Sequence, residues 1–214
     1  MIGFTGRKLD DNLDMPKYIN TNENIVYSKG SSLYGLDIAK NYSRNEMIIV
    51  EGNMDAIALH QRDIRNVVAS MGTALTEKQA RLILRYTKNV KIAYDSDAAG
   101  EEATIRGLDI LNKLGADVRV VKYEGAKDPD EYIIKFGKES FLKQVKNSIS
   151  LFEFKLENIS RKYDLENISD KVKFMAEVLE LLVKISNSAE RDIYIKEISR
   201  KYSISEESIY LEIE

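Results

Sequence analysis

The sequence predicts an α/β fold, a mostly parallel sheet flanked by helices, followed by an all-α helical subdomain. Three observations carry this expectation. Between about residues 46 and 136 short apolar runs alternate with amphipathic stretches. The apolar runs are continuous, as in "MIIV", which is how strands read when both sheet faces are covered. From about Lys138 onward only helical periodicity remains. Strand and helix in alternation imply right-handed crossovers and parallel neighbours.

Taken in order, residues 1–45 are rich in Gly, Asn, Ser and Asp without sustained periodicity, and read as loop at the end of an amino-proximal unit. Strands are expected at Met47–Glu51, Asn66–Ser70, Val90–Asp95 and Asp117–Tyr123, with crossover helices at Met54–Gln61, Glu77–Thr87 and Ala98–Leu114. Thr76 and Gln79 form a capping box ahead of "ARLILRY". In the last third, Met175, Val178, Leu179, Leu182 and Ile185 make one apolar stripe, and Ile193, Ile198 and Tyr202 mark a second helix. Ser203 with Glu206 is expected to cap a short final helix. The boundaries drawn from these patterns are 1–45, 46–136 and 137–214.

Bulk composition narrows the chemistry. Of 214 residues 43% are hydrophobic and 31% charged, and no apolar run approaches the roughly 20 residues of a membrane helix. The opening residues carry no signal-peptide pattern, so a cytoplasmic location away from the membrane is the expectation. There is no cysteine and one histidine, His60. Thiolate sites are excluded, a histidine zinc site or a Ser-His-Asp triad is disfavoured, and His60 reads as a packing or surface residue. Any metal would be held by oxygen. A net charge of −3 does not suit a general polyanion binder, so nucleic-acid binding would need a local basic patch.

The acidic residues have a bland reading and a sharper one. Singly, Asp97 and Asp128 are helix N-caps, the latter completed by Pro129 and Glu131. Asn53 is expected to cap the helix after "MIIVE". Together, however, Glu51, Asp55, Asp95, Asp97, Asp128 and Asp130 fall at three strand-to-helix junctions, the carboxyl edge where open α/β sheets bind ligands. Like charges roughly 4 Å apart repel by about 4 kcal/mol at an effective dielectric near 20. A hard divalent cation, Mg²⁺ or Mn²⁺, is the natural counter-charge. Small residues at Gly52, Ala98, Ala99 and Gly100 would admit a phosphate to the helix N-termini, and phosphoryl or nucleotidyl transfer is the indicated chemistry.

The succession "VEGNMDAIAL", "IAYDSDAAG", "AKDPDEYI" resembles the toprim module, and the flanks "GFTGRKL", "PKYIN", "SKGSSLYGLDIAK" and "VASMGTALT" resemble the bacterial DnaG-type primase. The resemblance runs strongly from about Gly3 to Phe136 and weakly through "AERDIYIKEISRKYSIS". It implies a toprim Rossmann-like sheet and a catalytic-core fragment making short RNA primers on single-stranded DNA from ribonucleoside triphosphates. It implies Glu51, Asp95 and Asp97 as catalytic, all six acids at the metal, and Arg7, Lys17 and Lys29 on nucleic-acid or nucleotide phosphates, and the acid cluster itself suggests a two-metal arrangement. A replicative helicase would bind through a region outside this chain, which reads as a piece of a longer protein. Asn53 stands where that family usually has an aromatic, and Ser96 where it often has glycine. Two other readings share the acids: a toprim nuclease or topoisomerase, and a non-catalytic toprim scaffold.

Overall fold

The computed structural model describes residues 2–8, 14, 18–71 and 74–213. The chain divides into two compact units, Met1–Leu151 and Phe152–Glu214. The first unit opens with β1 (Thr5–Arg7) and β2 (Tyr18–Asn20), an antiparallel pair that sets Arg7 opposite Tyr18. A 3₁₀ turn at Lys29–Ser31 and the short α1 (Leu36–Ala39) follow. The main body then runs β3 (Met47–Val50), α2 (Asn53–His60), β4 (Val67–Ala69), α3 (Glu77–Ile83), β5 (Asn89–Ala93), α4 (Ala98–Lys113), β6 (Asp117–Val120), α5 (Pro129–Lys146) and β7 (Ile149–Ser150).

The sheet order is β4-β3-β5-β6-β7, parallel except for β7, which pairs antiparallel with β6. Every residue of β3 and β4 is buried, the physical counterpart of their unbroken apolar sequence. Ile48, Val50, Leu59, Val67, Ile133 and Phe141 form the core under α2 and α5. On the opposite face Gly107 lets α4 lie close to β5, because a Cβ there would stand 3.2 Å from Ile92 Cδ1. The four expected strands and three expected crossover helices are all present.

Two details differ from the sequence expectation. The loop-like opening contains β1 and β2. Their residues are almost all exposed, so no apolar alternation marks them. A strand, β7, lies beyond Lys138, but at two residues it is too short to carry a period. Gly137 breaks α5 with φ of 81°, a left-handed conformation that glycine adopts freely.

The second unit contains α6 (Leu151–Ser160), α7 (Ile168–Val183), α8 (Ser188–Tyr202) and α9 (Glu206–Ile213). Its core joins Phe152, Phe174, Val178, Leu182, Ile195, Ile198 and Ile209. Ile193 points outward at 60% exposure, and the buried face of α8 is Ile195, Ile198 and Tyr202 at helical spacing. Ser205, not Ser203, serves the start of α9, its Oγ accepting from the Ser208 amide at 3.1 Å. Ser203 instead ends α8 in the left-handed region.

Candidate active site

Parallel pairing brings the carboxyl ends of β3 and β5 side by side, with Val50 level with Ala93. Glu51 and Asp95 leave the sheet just beyond that level. Gly52 holds the N-cap position of α2, so Asn53 is its first helical residue and not its cap. The expected capping role passes to Asp55, whose Oδ2 accepts from the Gly52 amide at 3.1 Å. Its other oxygen accepts from the Asp130 amide at 3.2 Å. Asp55, only 7% exposed, therefore ties the first turn of α2 to that of α5. A side chain at Gly52 would crowd this carboxylate, its Cβ falling 2.9 Å from Asp55 Oδ2.

Asp97 caps α4, accepting from the Gly100 amide at 2.8 Å, and Asp128 caps α5, accepting from the Glu131 amide at 2.7 Å. The bland reading of both is thus realised in the structure. Each cap uses one carboxylate oxygen and leaves the other for a ligand. Gly100 passes directly beneath Asp95: a Cβ there would stand 2.1 Å from the Asp95 carbonyl oxygen. The Tyr123 hydroxyl donates to the Tyr94 carbonyl, one residue before Asp95. Tyr94 is itself buried in the fold, and Tyr123, which carried no cue beyond its place at a strand end, is a support that the sequence did not reveal.

These residues wall a cleft of about 490 Å³ whose lining includes Glu51, Asp55, Asp95, Asp128 and Asp130 together with Arg7 and Lys29. Arg7 and Tyr18 reach it as cross-strand neighbours on β1 and β2. Lys29 is set by α3: the fully buried Gln79 donates to the Lys29 and Ser32 carbonyls, each at 2.9 Å. The capping box at Thr76 and Gln79 thus anchors a segment nearly fifty residues away. Asp97 lies outside the lining. Lys17 lies outside the described residues. His60 contacts the Val67 carbonyl at 3.0 Å and is not among the residues of the acidic cleft.

Burial and mutual repulsion shape the electrostatics. Burial is the main cause that lifts Asp95 to about 7, reinforced by the charges of Asp55, Glu51, Asp128 and Asp97. Asp55 rises to about 6, again chiefly through burial, against the amides of Asp130 and Gly52, which pull it down. Glu51 is raised by burial and by Asp97, and Asp130 by burial and Asp128. Asp97, though at the rim, thus acts on both Glu51 and Asp95.

A divalent cation fits this donor set. Asp95 Oδ1 is buried without a hydrogen-bond partner, an arrangement that costs free energy unless something positive meets it. Among the described residues, no three carboxylate or imidazole groups converge tightly enough to cage an ion unaided. Mg²⁺ typically takes one or two carboxylates and completes its shell with water and substrate phosphates, so the open geometry suits it.

A mostly parallel sheet with acids at the ends of its first and third strands and a further acid pair at the start of α5 defines a toprim-class module. The family model described as Toprim-like matches residues 48–133. Residues 1–40 match the N-terminal domain of the DNA primase catalytic core, and residues 152–207 match the DnaB-helicase binding domain of primase. The DNA primase of Clostridium acetobutylicum is 44% identical over 211 residues, covering 98% of this chain and 35% of that protein. A DNA primase domain from Pseudomonas aeruginosa superposes with a TM-score of 0.76 at 32% identity, covering 100% of this chain and 68% of the other. The DnaG primase catalytic domain bound to ssDNA gives 0.76 at 32%, covering 97% and 67%.

The chain belongs to the bacterial DnaG-type DNA primase family. It spans about a third of the length of the curated relatives. Toprim-domain primases are metal-dependent. The match at residues 152–207 corrects the expectation that a helicase-binding region lies outside this chain. Among the described residues, no helix is long and apolar enough to cross a membrane.

Proposed function

We propose that this chain is part of the catalytic core of a primase, carrying out metal-dependent, template-directed synthesis of short RNA primers on single-stranded DNA. The observation that carries the reading is the cleft itself: five carboxylates line it together with Arg7 and Lys29. Acids alone would repel nucleic acid and basic residues alone would merely bind it. The pairing suits phosphates held beside a cation. Support for the template comes from a relative whose catalytic domain is bound to ssDNA. Support for a helicase partner comes from the family match at residues 152–207.

Glu51, Asp95 and Asp97, with Asp128 and Asp130, are the residues that would hold Mg²⁺ or Mn²⁺. When bound, such an ion supplies charge neutralisation and lowers the pKa of an attacking hydroxyl. Arg7 and Lys29 orient template or nucleotide phosphates, and positioning is the greater part of phosphoryl-transfer catalysis. Glu51, whose carboxyl is pushed up by burial and by the charge of Asp97, is suited to accept or return a proton. Asp55 has both oxygens committed to backbone amides, so its part is to join α2 to α5 and to add negative charge.

Incorporation of labelled ribonucleotides on a single-stranded template, with Mg²⁺ or Mn²⁺, tests the reading. Primer-length RNA that disappears in Asp95→Asn is the expected result. Synthesis that survives in that variant would overturn it.

A further inference from the structure

We propose that Ser96 is a positioning residue that holds the Asp95/Asp97 pair in register with the Asp128/Asp130 pair. The proposal rests on the metal-site reading above and adds the means by which two separate loops keep one geometry. Ser96 stands between the two aspartates, on the exposed surface. Its amide donates to the Lys127 carbonyl at 2.9 Å. Its hydroxyl donates to the same carbonyl at 3.0 Å, shared with the Ala126 carbonyl at 3.3 Å.

The far side of this clip is equally fixed. The Lys127 amide donates to Glu131 Oε2 at 2.9 Å, and Asp128 caps α5. Turn 126–128 is thus held by α5 on one side and by Ser96 on the other. These bonds matter because strand pairing has already ended: β5 stops at Ala93 and β6 at Val120. Beyond those points no ladder sets the distance between the loops. An ion with metal–oxygen distances near 2.1 Å is sensitive to small changes in that distance. The amide bond would survive most substitutions at 96, whereas the hydroxyl bond would not, so the hydroxyl can be tested by itself.

The test is titration of Mn²⁺ into the parent chain, Ser96→Ala, Ser96→Thr and Asp95→Asn, following free Mn²⁺ by electron paramagnetic resonance, with a thermal melt of each. Ser96→Ala is expected to bind as many ions as the parent at about three- to tenfold lower affinity, the effect of one lost hydrogen bond. Its melting temperature stays within about 4 °C of the parent. Ser96→Thr, which keeps the hydroxyl, restores parental affinity, and Asp95→Asn loses an ion. Parental affinity in Ser96→Ala, or a Ser96→Thr as weak as Ser96→Ala, overturns the proposal while leaving the metal site standing. No saturable Mn²⁺ binding in the parent overturns the metal site and this role together.

Discussion

Asp95 and Asp55 keep their protons in the folded chain, at about 7 and about 6, where the unfolded chain would already have released them near its ordinary 3.8. Between those values the folded state binds more protons than the unfolded one, so stability falls as pH rises. The contribution is complete below about pH 4 and is lost by about pH 7. In the presence of a chelator, the melting temperature is therefore expected to drop across that window in thermal scans. Asp95→Asn should flatten the drop, and Mn²⁺ near neutral pH should reverse it by binding only the folded state. A flat profile in the parent would contradict the shifts. Gly100→Ala is expected to cost about 1–3 kcal/mol by overpacking, since its Cβ would meet the Asp95 carbonyl. Because the displaced group carries Asp95, Mn²⁺ affinity should fall as well, a loss that calorimetric titration would detect. Asp97 and Asp128 were readable from sequence as caps, and Asp95 and Asp55 as acids at strand-to-helix junctions. The hydroxyl of Ser96 was not, because its acceptors lie about thirty residues away.

At the level of elements, α3 contributes to the cleft without touching the acids. Gln79→Ala would leave the Lys29 and Ser32 carbonyls and the Thr76 amide without their partner, at about 1–3 kcal/mol for buried groups stranded this way. The expected outcome is weaker single-stranded DNA binding, by fluorescence anisotropy, with Mn²⁺ binding retained. Equal loss of both would mean that the helix supports the whole cleft and not Lys29 alone. The parallel strands were legible because full burial writes itself as unbroken apolar runs. β1 and β2 were not, since strands of three residues, all exposed but the half-buried Asn20, give no pattern, and with them went the reason Arg7 and Tyr18 stand together. Gly52 displaced Asn53 as the cap because Asp55 supplied the reciprocal bond from within the helix.

Across the whole molecule, each compact unit has its own buried core. Scanning calorimetry is expected to resolve two transitions, with Mn²⁺ raising only the one belonging to residues 1–151. A single transition raised as a whole would show that the units unfold together. Removing Arg7 or Lys29 should lower the salt dependence of single-stranded DNA affinity by about 0.7 in the logarithmic slope per contact. An unchanged slope would place the phosphates elsewhere. The edges of the main sheet carry a last consequence. β4 is three residues long and its Ala69 is bridged by Tyr34, while β7 at the other margin is two residues long. Long unpaired strand edges are the templates on which chains add to one another. A sheet that closes so briefly at both margins offers little to copy, and concentrated solutions of this chain are expected to resist fibril growth through it.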